Sequence, residues 1–320
     1  MLNRESIQDA LRIVHAAMPP TPQQRWPLLD ARVGVPVWVK HENHTRVGAF
    51  KLRGGLVYFD ALMRREPGAR GVVSATRGNH GQSVGHAARA HGLAATIVVP
   101  RGNSVEKNAA MRALGVDLIE HGDDFQAARE HAQGLADANG WHMVPSFHAD
   151  LVRGVATAWI EFFEAVQPAL VYVPIGQGSG ICACAMARAY TGVATRIVGV
   201  VSSHATAYQQ SFRKRRLIES PVTTELADGM ACRLPDADAL EIIVREVEDV
   251  ISVSDAQVAD AMRALFADTH NVAEGAGAAA LAGALVDRAR WEGKDCAIGI
   301  TISGGNVDSA VFARVLNGGT

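Results

Sequence analysis

Cysteines, aromatic residues, net charge and long apolar runs are all scarce in this sequence of 320 residues. The four cysteines, Cys182, Cys184, Cys232 and Cys296, do not make a zinc site: Cys182 and Cys184 stand two apart, and no second pair completes a ligand set. They read as free thiols packed among small residues. The formal net charge is −2, without the basic stripe that nucleic acid demands or the acidic tail of a disordered solubiliser. No run of about 18 apolar residues occurs, so no membrane-spanning helix is expected. The start, MLNRESIQDALRIVHAAM, carries charges at helical spacing where a secretory signal would have an apolar core. With these absences the chain reads as a soluble cytoplasmic protein for which neither a nucleic-acid nor a membrane partner is expected.

What is present is core-forming material. Hydrophobic residues make up 48% and charged residues 20%, enough for about two domains or one large α/β unit. Short stretches rich in Val and Ile (VPVWVKHE, GVVSAT, ATIVVP, VDLIEHG, ALVYVPIG, RIVGVVSS) alternate with helical patterns such as HGQSVGHAARAHG, SVEKNAAMRALG and GVATAWIEFFEAV. That alternation predicts an α/β fold of two lobes, each an open, mostly parallel sheet flanked by helices. The apolar stretches are continuous, as in strands buried on both faces. The smaller lobe is expected to hold residues 64–148 and the larger one residues 1–63 and 149–320. MPPTPQQRWP, Met18 to Pro27, reads as a proline-broken connector.

In open α/β sheets ligands bind beyond the carboxyl ends of strands, so the turns there carry the functional signal. SATRGNHGQS (Ser74–Ser83) passes from strand to helix through Gly78, with Thr76, Asn79 and His80 as donors and free N–H groups suited to an anion. VPIGQGSGICACA (Val173–Ala185) has Gly176, Gln177, Gly178, Ser179 and Gly180 before an alanine-rich helix, a nest of N–H groups suited to a phosphate. It has neither the lysine of a P-loop nor a dinucleotide fingerprint. ITISGGNVDSA (Ile300–Ala310) ends a strand at Ser303. Lys51, in HTRVGAFKLRGG, stands between Phe50 and a nearby arginine with glycines on either side. A cofactor with both a phosphate and an aldehyde would use all of these.

Together these motifs resemble the fold-type II pyridoxal-phosphate enzymes, in the branch of threonine and serine dehydratases and serine racemase. The resemblance spans nearly the whole chain, with its motifs in the expected order. GAFKLRGG resembles the family's Ser-Phe-Lys-x-Arg-Gly motif, which implies that Lys51 binds the pyridoxal aldehyde and that Phe50 lies at the cofactor; Ala49 replaces the serine. TRGNHGQS resembles the substrate-carboxylate loop, implying substrate binding by Thr76, Arg77, Gly78, Asn79 and His80, with Asn79 also on the cofactor's phenolic oxygen. GQGSG implies phosphate binding by Gly176 to Gly180, and SGGN implies that Ser303 meets the pyridine nitrogen. LADGMA places Asp228 near the substrate, VAEGAGAAAL points to Glu274 at the cofactor, and PSFHADLVRG puts His148 at the pocket border.

Two departures shape the expected reaction. Arg77 stands where serine racemase has a second serine as acid–base group, and a guanidinium is a poor proton carrier near neutral pH, so racemisation is not expected as the main activity. Arg77 is free instead to bind an anion or stack on an aromatic ring. GVVSSHATAYQQ (Gly199–Gln210), matching the family's cation site, has no carboxylate, so no magnesium or calcium is expected there. The resemblance implies a homodimer and a lyase releasing ammonia and a 2-oxo acid from a β-hydroxy-α-amino acid. The substrate is threonine or serine by default, or a different one such as phenylserine or 3-hydroxyaspartate, given Ala49, Arg77 and His148. A racemase or a β-replacement transferase on the same fold is the alternative.

Overall fold

The computed structural model describes residues 3–320. Its first half runs α1 (Arg4–Ala17), β1 (Gln23–Arg25), α2 (Pro27–Val33), β2 (Val37–His41), α3 (Lys51–Arg65), β3 (Gly71–Ala75), α4 (Asn79–Ala90), β4 (Ala94–Val99), α5 (Val105–Ala113), β5 (Asp117–Glu120), α6 (Phe125–Asn139) and β6 (His142–Met143). It continues with α7 (Ala149–Ala165), β7 (Leu170–Pro174), α8 (Ser179–Thr191), β8 (Arg196–Ser202), α9 (Ala207–Lys214), α10 (Ala237–Glu246), β9 (Asp249–Val253), α11 (Asp255–Thr269), α12 (Gly275–Val286), β10 (Ile298–Ile302) and α13 (Ser309–Leu316). Local chemistry sets many of these limits. Asn3, Asp124 and Asp236 accept backbone N–H groups at the starts of α1, α6 and α10, and Ser254 with Gln257 forms a full capping box on α11. Pro27 opens α2 and Gly34, at φ 97°, closes it.

The strands form two sheets, as the alternating sequence pattern requires. A six-stranded sheet has the order β1-β2-β10-β7-β8-β9, and a four-stranded sheet has the order β5-β4-β3-β6. All pairings are parallel except β1 with β2. The connector expected from Met18 to Pro27 is therefore only partly irregular: Gln23 to Arg25 adds an antiparallel edge strand, paired with Trp38 to Lys40. Strand β9 also escaped the sequence reading, because DVISV mixes polar residues into a short run at the sheet edge.

Helices cover both faces of the larger sheet. One apolar cluster joins β2, β7, β8 and β10 to α2, α11 and α12; another joins the opposite face to α7, α8 and α10. Helix α12, GAGAAALAGALV, is buried nearly all round, and its small residues allow close approach: a Cβ at Gly283 would lie 2.5 Å from Val200 Cγ2. A third cluster fills the smaller sheet against α3 and α4. Among the described residues, no helix is long and apolar enough to cross a membrane. Cys182, Cys184 and Cys232 are buried free thiols, and Cys296 is a partly buried one.

The sheet order explains why distant motifs meet. Strands β2, β10 and β7 are neighbours, and their carboxyl ends lead to Lys51, Ser303 and Gly176–Gly180 respectively. Strand β3 of the other sheet leads to Thr76–His80.

Candidate active site

Lys51 is the first residue of α3 and lines a deep cleft between the sheets. Its Nζ donates to Ser179 Oγ at 2.8 Å and lies 5.1 Å from the Phe50 ring centroid. Burial lowers its pKa to about 8, since a charged amine loses hydration there. A larger neutral, nucleophilic fraction than that of an ordinary lysine follows at pH 7. Ser83 Oγ donates to the Lys51 carbonyl at 2.6 Å, holding the first turn of α3 against α4.

Beneath Lys51 lies a balanced set of buried charges. Arg53 Nε donates to Glu42 Oε2 at 2.8 Å, and its Nη1 donates to Glu161 Oε1 at 2.7 Å; Lys40 Nζ meets Glu161 Oε2 at 2.7 Å. Thr21 and Thr157 hydroxyls complete the shell. Two cations face two carboxylates, so the arginine next but one to Lys51 is fully committed to structure.

The glycine loop before α8 presents bare N–H groups. Gly178, at φ 97°, precedes a helix that has no side-chain cap. Side chains are excluded here: a Cβ on Gly178 would lie 2.6 Å from Ala239 Cβ, and one on Gly176 would strike the Gly229 carbonyl. Tyr208 Oη donates to the Gln177 carbonyl at 3.1 Å and steadies the loop. Ser303 is buried at the end of β10, and among the described residues its hydroxyl makes only a long 3.4 Å contact with the Ala276 carbonyl. It remains free to turn towards a heterocycle nitrogen.

The loop before α4 is more tightly tied. Thr76 Oγ1 accepts Gly78 N–H at 2.9 Å and Gly81 N–H at 3.3 Å. His80 is buried, and burial with the nearby Lys51 charge pushes its pKa down to about 3, so its ring is neutral; Nε2 has no partner among the described residues. Arg77 lines the cleft, and its buried Nε likewise has no partner among the described residues. Asn79 Nδ2 donates to Glu274 Oε1 at 2.5 Å, and Asn79 Oδ1 accepts from Asn306 Nδ2 at 2.8 Å.

Glu274 is buried at the start of α12. Burial raises its pKa, opposed by Lys107, whose Nζ lies 3.1 Å from Oε2. Lys107 also meets Asp228 Oδ2 at 2.7 Å. Burial alone would depress the Lys107 ammonium, but the two carboxylates outweigh it and the pKa is raised. Lys107 stands in the first turn of α5, beside the smaller sheet, so this ion triad bridges the cleft. A second bridge lies alongside: Asp308, at the start of α13, accepts from Ser104 Oγ (2.5 Å), Val105 N (3.2 Å) and Glu106 N (3.3 Å). Glu106 in turn accepts from Ser309 N at 2.8 Å and from the Ser309 hydroxyl.

Nearly all the residues singled out in the sequence meet in this cleft: Phe50, Lys51, Thr76 to His80, Gly176 to Gly180, Asp228, Glu274 and Ser303 line it. Two do not. His148 lies outside the lining, where its Nδ1 accepts Asp150 N–H at 3.1 Å and its ring packs on Tyr58; Ser146 lines the cleft instead. Ala49 is fully buried and bridges Gly304, so the missing serine hydroxyl does not widen the cleft. The sequence reading missed Lys107, Asn306, Ser83, Phe125 and Trp159. Lys107 sits in VEKNAAMRA, where a lysine reads as a solvated helix face.

An amine with a lowered pKa, an uncapped helix preceded by glycines, and a buried hydroxyl at the end of the strand between them fit pyridoxal phosphate: aldehyde, phosphate and ring nitrogen each have a partner. The family model described as "Pyridoxal-phosphate dependent enzyme" matches residues 14–304. The chain belongs to this family. This pyridoxal-phosphate enzyme is 32% identical to L-threonine ammonia-lyase of Thermotoga maritima over all of its own length and 79% of the relative's. It is 30% identical to L-threo-3-hydroxyaspartate ammonia-lyase of Saccharomyces cerevisiae, covering 98% of this chain and 95% of that one. It superposes on the solved structure of maize serine racemase with TM-score 0.90 at 28% identity, over 99% of this chain and 97% of the other. The two parallel sheets are thus the fold-type II arrangement, and the pyridoxal-phosphate enzyme stands among dehydratase and ammonia-lyase relatives.

Proposed function

We propose that this enzyme is a β-hydroxy-α-amino-acid ammonia-lyase, converting a threonine- or serine-type substrate to a 2-oxo acid and ammonia. The observation that carries this reading is the pairing of Lys51, an amine with a lowered pKa beside Ser179, with the uncharged Ser303 at the end of the adjacent strand. The bound cofactor makes the substrate Cα proton acidic. Lys51 Nζ is the base that takes it. A neutral hydroxyl at Ser303 does not hold a proton on the ring nitrogen as a carboxylate would, which favours prompt loss of the β-hydroxyl over a long-lived carbanion. Free N–H groups before α4 hold the substrate carboxylate, with the Thr76 hydroxyl fixing the loop. Loss of water followed by its return balances the reaction: the products together have the atoms of the substrate.

Arg77 favours a second reading, a substrate with an additional anionic group such as 3-hydroxyaspartate. Of the other cleft cations, Lys107 is paired with Asp228 and Glu274, Lys40 with Glu161, and Lys51 donates to the Ser179 hydroxyl, whereas the Nε of Arg77 has no partner among the described residues. A relative at 30% identity is named for that substrate class. One panel separates the readings: threonine, serine, phenylserine and 3-hydroxyaspartate isomers, with ammonia, oxo acid and residual chirality measured. Ammonia with oxo acid is expected, and racemised amino acid alone sinks the lyase reading. Under the acidic reading, Arg77→Ala lowers kcat/KM for 3-hydroxyaspartate by about tenfold or more, while threonine changes much less. Equal losses on both substrates reject it.

A further inference from the structure

Behind the cleft-lining Asn79 stands a side chain whose geometry exceeds what its place in the sequence suggested. Asn306 is the last residue of SGGN, and its Nδ2 donates to two acceptors, the Val47 carbonyl and Asn79 Oδ1, each at 2.8 Å. These contacts fix the orientation of two amides in sequence. A carbonyl only accepts, so the Asn306 atom facing Val47 is the nitrogen. Both hydrogens of that nitrogen are then used, one on Val47 and one on Asn79, so the Asn79 atom facing Asn306 is the oxygen. Asn79 therefore presents Nδ2 towards Glu274, whose Oε1 accepts at 2.5 Å. The second N–H of Asn79 is left for whatever occupies the cleft. Glu274 is held in turn by Lys107 and through it by Asp228.

Backbone features make room for this arrangement. Gly48 is at φ 66°, and a Cβ there would lie 2.6 Å from Asn306 Oδ1. A Cβ on Gly304 would lie 2.5 Å from Glu274 Oε1 and 3.1 Å from Asn79 Nδ2. Gly305 N–H donates to the Gly48 carbonyl at 2.9 Å, and Phe50 N–H to the Ser303 carbonyl at 3.0 Å, so the Lys51 loop and the Ser303 loop lie side by side and Asn306 spans them.

We propose that Asn306 is a positioning residue for the cofactor: by donating to Asn79 Oδ1 it fixes the Asn79 amide with an N–H turned into the cleft. The inference rests on pyridoxal phosphate occupying the site, and it assigns Asn306 an action through Asn79 rather than contact with the reacting atoms. Without Asn306 the Asn79 amide is held by Glu274 alone and can turn so that its second N–H no longer faces the cleft. A negatively charged oxygen of the cofactor then loses a hydrogen bond, and a proton near that oxygen is held more tightly.

The test uses the holoenzyme and reads the visible absorption band of the lysine-bound cofactor against pH, with cofactor content measured separately. Asn306→Ala is expected to keep the cofactor, to move the pH midpoint of that band upward by about half a unit, and to lower kcat about tenfold with KM within about twofold. Asn79→Ala is expected to shift the midpoint in the same direction, and Asn79→Ala with Asn306→Ala no further than Asn79→Ala alone. Two additive shifts, or an unchanged midpoint in Asn306→Ala, overturn the inference. If Asn306→Ala does not fold, Asn306→Ser is read by the same measurements and the same criteria. Absence of any band in the unmutated protein overturns the cofactor reading and the inference with it, whereas a normal band there and in Asn306→Ala rejects the inference alone.

Discussion

The loops before α4 and α8 look alike in sequence. Both follow a parallel strand, both contain glycine, and both open a helix with donors pointing into one cleft. They differ in what their N–H groups meet. Before α8, Gly178 leads into a helix with no side-chain cap, in a space too tight for side chains at Gly176 and Gly178. Before α4, the Thr76 hydroxyl already takes two N–H groups, and the Asn79 amide is held from both ends. The first arrangement suits a phosphate, a compact anion that accepts from many directions. The second is directional and suits a planar carboxylate that must be held in one orientation. Similar turns thus present different sets of free N–H groups because of side chains outside the glycines.

Removing the amine between the loops should have the largest effect. Lys51→Ala is expected to abolish the visible band of the bound cofactor and to lower turnover on the order of 10⁴-fold or more; a retained band in the purified variant contradicts the assignment. Next, one substitution in each loop tests the division of labour. Gly178→Ala places a side chain at φ 97° and is expected to weaken cofactor binding about 10- to 100-fold, read by titration of the apoprotein. Thr76→Ala should leave cofactor content intact and raise the substrate KM about tenfold. Equal losses of cofactor in both variants would erase the distinction.

The smallest effect concerns the charge that both loops enclose. The Lys51 pKa is lowered to about 8 in the folded chain and is about 10.5 when unfolded, so the unfolded state binds more protons between those values. Apoprotein stability should therefore rise from pH 8 to 10.5, with the penalty of the buried charge fully present below pH 8. Lys51→Ala apoprotein should lack that rise. Its melting temperature relative to the unmutated chain is expected to be highest below pH 8 and to fall across the window. Parallel pH profiles would show that Lys51 keeps an ordinary pKa.

Much of this is legible in the sequence. Continuous Val- and Ile-rich stretches identified the parallel strands, and glycine turns after them marked the cleft, because both signals are local. Lys51, Gly176 to Gly180 and Ser303 follow from those turns together with the family resemblance. His148 did not fit, because a residue two positions from a cleft-lining serine can face away and cap a helix. Lys107 and Asn306 were hidden for another reason. Each gains its meaning from partners far along the chain, Asp228 and Glu274 for one and Val47 and Asn79 for the other. The edge strands β1 and β9 were obscured by polar residues.

Helices α5 and α13 meet amino end to amino end, and each lends the other an acid: Asp308 serves the start of α5, and Glu106 serves Ser309. Two positive helix ends would repel without those carboxylates. Drawing the sheets apart takes the Asp308 acceptor from the Val105 and Glu106 amides and the Glu106 acceptor from the Ser309 amide together, while Ser104 still caps the Lys107 amide. Parting is then a threshold event and not a gradual loosening. Its signature is hydrogen exchange at the amides of Val105, Glu106 and Ser309 with one shared opening rate, the mark of a clasp with two hooks.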